Sequence, residues 1–251
     1  MQNSCKPTAT FVDIFGGSGL LSHTVKYTLP QAKVVYNDFD NFIQRLYSVA
    51  KTNELLAKLR EELGDYPRGQ HIDGEYRERV FSILKQADAS GFVDWISISS
   101  SLLFSMNYEL SYVAFTKQTL YNSVLKLDFS TDGNLEGVDI VSADYQVIYE
   151  RYKNVDDVVF LVDPPYLSTD TSTYNSADYW KLKDYLDVLQ VLTDTKYFYF
   201  TSNKSQVVEL YEWISSVSDV ANPFYNAQCT EIPSFIGGNN SYVDIMYSYL
   251  E

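Results

Sequence analysis

The chain has 251 residues, enough for one α/β domain with an insertion or for two small domains. It is 45% hydrophobic and holds 22 tyrosines, which supplies a sizeable core and many flat rings able to stack on planar ligands. A formal charge of −14 argues against broad electrostatic adhesion to nucleic acid, where phosphate neutralisation by Lys and Arg carries most non-specific affinity.

The chain opens with "MQNSCKPTATFVDIF", which lacks the charged-then-apolar layout of a signal peptide. No apolar run approaches the roughly 20 residues that span a bilayer. A soluble cytoplasmic protein with no membrane partner is expected. "TFVDIF" reads as a short buried strand, "GGSG" as a turn, and "LLSHTVKYTL" as a helix that stops at Pro30. "AKVVYNDFD" is a second strand with acidic residues at its exit. This βαβ opening is the mark of a parallel sheet.

From Phe42 to about Ser90 the pattern turns helical and charged, with "YPRGQHIDGEY" as a polar loop inside it. "DWISISSSLLFSMNYELSYVAF" is apolar but fits helix and strand equally. "VDIVSAD" and "VVFLVD" are further strands, and "YWKLKDYLDVLQVLTDT" is an amphipathic helix. "KYFYFTSN" is another buried strand, "SQVVELYEWISSV" another helix, and "CTEIPSFIGGNNSYVDIMYSYL" a hairpin around "GGNN". The strands flank a mainly helical stretch. Residues 1–50 and 131–251 are therefore expected to form one α/β domain, and 51–130 an insertion.

Charge is uneven along the chain. Residues 51–100 hold seven Lys/Arg against nine Asp/Glu, whereas 101–251 hold eight against 21. If any segment meets phosphates, it is the first of these, with Arg68, Arg77, Arg79 and Lys85 as contacts. Cys5, Cys229, His23 and His71 form no ligand cluster, so no metal is expected.

Gly16, Gly17 and Gly19 join the first strand to the first helix. Such a turn lets a ligand approach the backbone and offers amide N–H groups at a helix start. The spacing does not fit G-x-G-x-x-G. Asp38 lies about 20 residues on, at the second strand's end, where a carboxylate can grip ribose hydroxyls. Taken alone, "FGGSG" fits a plain glycine-rich turn, with the acidic loop after the second strand merely solvated, equally well.

"VVFLVDPPYLSTDTSTYN" carries a more specific signal. Pro164 fixes its own φ, removes an N–H and forces Asp163 out of helical geometry; Pro165 repeats the effect. The Asp163 carboxylate and the Pro164 carbonyl become two rigid acceptors able to hold an –NH2 group. Two acceptors drawing on the hydrogens of an exocyclic amine favour a pyramidal nitrogen with an available lone pair. Tyr166 offers a stacking surface for a base. The polar stretch "STDTSTYNSADYW", with Tyr174 and Tyr179, is expected to close over that base. A base inside a duplex reaches such a pocket only by flipping out.

Together these residues resemble the Dam-type DNA adenine-N6 methyltransferases, including phage-encoded members. D-x-F-x-G-x-G stands as Asp13, Phe15, Gly17 and Gly19 with Gly16 between, and D-P-P-Y as Asp163 to Tyr166. The resemblance implies a Rossmann-like α/β fold, S-adenosylmethionine as methyl donor, and double-stranded DNA as partner, recognised through the insertion. It sets the glycine turn near the donor's methionine part, Asp38 on its ribose and Asp144 near its adenine. The family usually carries a glycine- and lysine-containing segment upstream of the glycine motif. Only 12 residues precede Asp13 here, so that part of the pocket is expected to be missing, replaced from elsewhere or supplied by another subunit. A silent methyltransferase-fold module, and an amino-methyltransferase acting on RNA, cytosine N4 or protein glutamine, remain alternatives.

Overall fold

The computed structural model describes residues 6–104, 107–131, 133–165, 180–219, 221–236 and 240–251. The chain divides into two compact units, 1–42 with 133–251, and 43–132. The first boundary falls earlier than composition suggests, at the start of a helical stretch. In chain order the elements are β1 (Thr10–Asp13), α1 (Leu20–Thr28), β2 (Lys33–Asn37), α2 (Phe42–Tyr47), α3 (Val49–Glu62), β3 (His71–Ile72), α4 (Gly74–Ala89), α5 (Trp95–Leu102), α6 (Tyr112–Phe115) and β4 (Leu120–Tyr121). There follow β5 (Asp139–Val141), α7 (Tyr145–Tyr152), β6 (Val158–Val162), α8 (Leu182–Leu189), β7 (Lys196–Ser202), α9 (Val207–Val217), β8 (Gln228–Ile236) and β9 (Asn240–Tyr249).

The first unit is built on a seven-stranded sheet in the order β5-β2-β1-β6-β7-β9-β8. The first five strands are parallel, and the C-terminal hairpin adds β9 and β8 antiparallel. β1 is the middle one of the five parallel strands, Thr10 level with Lys33 of β2 and Val158 of β6. Alternate residues of the inner strands face opposite layers, so both faces must be apolar. Val12, Val35, Phe160, Val162 and Tyr197 pack with Ile148 of α7 and Tyr185 and Val188 of α8. Phe11, Val34, Val159, Leu161 and Phe198 pack with Val25 of α1. This is an α/β, Rossmann-like sheet. The loops at the carboxyl ends of its parallel strands hold the site described below.

The second unit has its own core of Leu55, Leu56, Leu59, Val80, Leu84, Ile98, Leu102 and Phe115. The ambiguous "DWISISSSLL" is helical: Asp94 accepts from Ser97 N and Oγ, capping α5, and its carboxylate also receives Arg45 Nε at 2.9 Å. The polar loop "YPRGQHIDGEY" contains β3, which pairs antiparallel with β4. α7 answers to no reading of the sequence above; Asp144 starts it by accepting from Gln146 N at 2.8 Å. Among the described residues, no helix is long and apolar enough to cross a membrane.

Candidate active site

A cavity of about 590 Å³ opens at the carboxyl ends of the central strands, within the first unit. Phe15, Gly16 and Gly17 form one part of its wall, and Asp163, Pro164 and Pro165 another. Asn37, Phe39 and Asp40 come from the exit of β2, and Asp144 and Tyr145 from the start of α7. Trp180 and Asp184 complete it. The glycine turn and the two-proline tip, distant in sequence, therefore bound one space.

The turn's glycines are required by its geometry. Gly17 and Gly19 have φ of 49° and 71°, a region that a side chain disfavours. At Gly16 the constraint is contact: a Cβ there would lie 2.2 Å from Tyr36 Cε2 and 2.7 Å from the Asn37 carbonyl oxygen. The turn rests on the Tyr36 ring, and that ring is fully buried. Tyr36 Oη lies 2.8 Å from the Gly17 carbonyl oxygen and 3.1 Å from Asp38 Oδ1. Asn37 ties three strand ends together: its Nδ2 donates to the carbonyls of Ile14 and Ala143, and its Oδ1 accepts from Ala143 N.

Asp13 stands behind the turn, fully buried. Ser22 Oγ donates to its Oδ2 at 2.8 Å, while among the described residues no partner stands within strict hydrogen-bond geometry of Oδ1. Burial pushes its carboxyl up to about 7; the Ser22 hydroxyl opposes the rise and the charge of Asp163 adds to it. Asp163 is half-buried, and burial, helped by Asp244, raises it to about 6. Asp13 is raised further than Asp163 chiefly because it is the more deeply buried of the two. Two displaced carboxyls, one lining the cavity and one behind its glycine turn, make this a candidate functional site.

The two acids at the end of β2 are placed differently. Asp38 is buried, and its Oδ1 receives the Phe42 amide at 2.5 Å as well as facing Tyr36 Oη. It does not line the cavity; exposed Asp40, two residues on, does. Rings supply the apolar wall. Phe15 lies 5.1 Å from Tyr145 and 5.5 Å from Trp180, centroid to centroid. Sequence reasoning missed Asn37, Phe39, Asp40, Tyr145, Trp180 and Asp184. A signal existed for Tyr145, which directly follows Asp144. Trp180 and Asp184 sit beyond the two-proline tip at a spacing that fits no pattern. Tyr166, Tyr174 and Tyr179 lie outside the described residues.

In the second unit the basic residues singled out above are largely engaged. Arg68 Nη1 donates to the Val124 carbonyl at 2.7 Å. Arg77 donates to the Thr116 carbonyl and lies 4.4 Å over the Phe81 ring. Arg79 pairs with Glu62 and Glu75 and lies over the Tyr76 ring. Lys85 is exposed.

S-adenosylmethionine carries an ammonium, a carboxylate, a sulfonium, a ribose and a flat base, and its net positive charge and planar base suit the cavity. Asp40, Asp144, Asp163 and Asp184 line it, with no Lys or Arg among the described lining residues, so it attracts a cation. Its volume lies in the range of small-molecule sites, and three rings can flank a planar base.

No family model matches the chain. It is similar to a solved rRNA methylase of Streptococcus thermophilus, at 10% identity over 98% of this chain and 90% of that one, with a TM-score of 0.33. It is 34% identical over 240 residues to a Haemophilus influenzae protein described as a "putative methyltransferase", a match spanning 94% of this chain and 80% of the relative. With the sheet, the cavity and that relative in hand, the chain belongs to this methyltransferase family, has its Rossmann-like fold, and uses S-adenosylmethionine as methyl donor.

Proposed function

We propose that this protein methylates the N6 amine of an adenine flipped out of double-stranded DNA. The observation that carries the reading is the shared cavity: Asp163 and Pro164 bound the same space as Phe15, Gly16 and Gly17. An amine held at the two-proline tip is thereby within one pocket of a donor held at the glycine turn. S-adenosylmethionine supplies an electrophilic methyl carbon on a cationic sulfur.

The chain's own residues do the rest. The Asp163 carboxylate and the Pro164 carbonyl accept hydrogen bonds from the two amine hydrogens, which makes the nitrogen lone pair available. Rigid acceptors need no reorganisation at that moment, and Pro164 is buried against the strand it follows. The ionised form of Asp163 is the better acceptor, and it takes up the proton that nitrogen sheds after acquiring the methyl. Gly16, Gly17 and Gly19 bring backbone close to the donor's methionine part, and Asp13 sets the charge behind it. Asp144 faces the donor's base beside Phe15 and Tyr145.

The test is transfer of labelled methyl from S-adenosylmethionine to unmethylated duplex DNA, followed by nucleoside digestion. N6-methyladenine as product, abolished by Asp163→Ala, supports the reading. A methylated RNA base, N4-methylcytosine or methylated glutamine would move the same chemistry to another acceptor. Donor binding with no acceptor methylated would mark a silent module.

A further inference from the structure

We propose that Asp244 is a positioning residue of the methyl-transfer site: its carboxylate, held on the same face of the sheet as Asp163, keeps Asp163 basic enough to take the proton of the methylated amine. The proposal rests on the reading of Asp163 as the group that binds that amine.

Side chains alternate between the two faces of a strand. Phe11, Leu161, Phe198, Phe200 and Met246 pack on the face that α1 covers. Asp13, Asp163, Ser202 and Asp244 follow the same alternation along β1, β6, β7 and β9, so they share that face, at the rim where the parallel strands end. They step across the sheet in order. Asp13 is level with Leu161, and Asp163 stands two residues beyond it. Val162 is level with Tyr199, which sets Asp163 beside Phe200, two residues short of Ser202. Asp244 is directly opposite Ser202. Ser22 holds the Asp13 end of this row, and Ser234 Oγ holds the other, donating to Asp244 Oδ2 at 2.6 Å. Asn203 fixes the chain beside Asp244: its N donates to the Val243 carbonyl and its Oδ1 accepts from Val243 N, each at 3.0 Å.

Asp163 is thus flanked by Asp13 from β1 and Asp244 from β9. Around the cavity the other titratable groups are Asp40, Asp144, Tyr145 and Asp184. The neighbouring cations are turned elsewhere. Lys204, after β7, lies over the Tyr242 ring, and Lys26 of α1 donates to the Ala32 carbonyl, while His23 stacks near Tyr27. Burial raises the Asp163 carboxyl first, and the charge of Asp244 adds to it. A carboxyl raised in this way is still largely ionised at neutral pH, yet it is a stronger base than an ordinary aspartate. The amine nitrogen gives its lone pair to the methyl carbon, the C–S pair stays on sulfur, and the surplus proton on nitrogen passes to Asp163. Asp244 does not line the cavity, and acts through Asp163.

The experiment is an NMR titration of the ligand-free protein, isotope-labelled at aspartate Cγ, with Asp163 assigned by the signal that Asp163→Asn removes. The wild-type midpoint is expected at about 6. Asp244→Asn, whose side-chain oxygen can still accept from Ser234, should lower it by about half a pH unit or more, as removal of a like charge does. Asp244→Ser, smaller and also neutral, should do the same, and Asp244→Glu should keep the wild-type midpoint. In these variants the acidic limb of kcat/KM for methyl transfer to unmethylated duplex DNA should move in step with the midpoint. Ser234→Ala breaks a hydrogen bond but keeps the charge, and should lower neither. A midpoint unchanged in both neutral variants overturns the proposal and leaves Asp163 in its role. A midpoint that falls while the rate limb stays overturns the part given to Asp244 in the reaction. Absence of methyl transfer to DNA by the wild type overturns the reading of Asp163, and the proposal with it. The titration needs no acceptor, so it tells that failure from the first.

Discussion

The two units use charge in opposite ways. The first, residues 1–42 and 133–251, holds nine Lys/Arg against 21 Asp/Glu, and four of its aspartates line one cavity. The second, residues 43–132, holds ten against 12 and turns its cations on itself: Arg45 pairs with Asp94, Arg60 with Asp128, Arg79 with Glu62 and Glu75. The negative excess of the chain is therefore not a diffuse surface property. Part of it converges where a cationic donor must be held, and burial raises two carboxyls there, Asp163 in the lining and Asp13 behind the glycine turn. The near balance of the second unit is a structural balance, its arginines ordering loops and helix ends.

The contrast breaks most readily at Asp163. Asp163→Ala should lower methyl transfer by about 100-fold or more while S-adenosylhomocysteine still binds, as expected when a preorganised polar group is removed from a reacting centre. Equal loss of binding would make Asp163 a donor ligand instead. Next comes Gly16→Ala. Its new methyl meets the buried Tyr36 ring and, at 2.7 Å, backbone that cannot move aside. It should abolish measurable donor binding and lower stability by about 1–3 kcal/mol, the cost of overpacking. Wild-type affinity in this variant would show that the turn does not carry the donor.

Acid titration sharpens the same point. Both carboxyls are raised from 3.8, Asp13 to about 7 and Asp163 to about 6. Between about pH 4 and 7 the unfolded chain has released these protons while the fold retains them, so the ligand-free protein should lose stability as pH rises through that window and level off above it. Binding of a cationic donor favours the ionised forms and should strengthen over the same interval. Asp13→Asn should remove the upper inflection from both curves. A flat stability profile from pH 4 to 7 would contradict the burial of Asp13.

The smallest effects belong to the second unit. Arg68→Ala should cost about 1 kcal/mol of stability, by freeing the Val124 carbonyl, and leave the salt dependence of DNA binding unchanged. Lys85→Ala should leave stability within about 0.5 kcal/mol. If Lys85 touches phosphate, it should shallow the slope of log affinity against log salt by about one. A slope change from Arg68→Ala would mean that the unit opens its internal pairings on binding.

Much of the parallel sheet could be read from the chain because its strands are short apolar runs closed by glycine or proline: "TFVD" by "GGSG", "VVFLV" by the two prolines. α7 escaped notice because "YQVIYERY" is eight residues of mixed polarity with one buried side chain, Ile148. "DWISISSSLL" was ambiguous because both of its faces meet a core or a cap. At the site, glycines and prolines restrict backbone wherever they occur, so their positions carried over directly into cavity walls. "NDFD" did not carry over. It offers two carboxylates two residues apart, and which of them meets the cavity is decided by a left-handed bend at Asn41 that nothing in the local composition announces. Trp180 and Asp184 reach the cavity through tertiary packing alone.

The seating of Gly16 on the Tyr36 ring has an evolutionary corollary. Positions 16 and 36 cannot drift independently. In a library randomised at both, a slimmer residue at 36 should only partly rescue a side chain at 16, because the Asn37 carbonyl oxygen still lies 2.7 Å from the new Cβ, and it removes the phenol oxygen that lies 2.8 Å from the Gly17 carbonyl. Co-selection of the two codons would record that contact without a crystal.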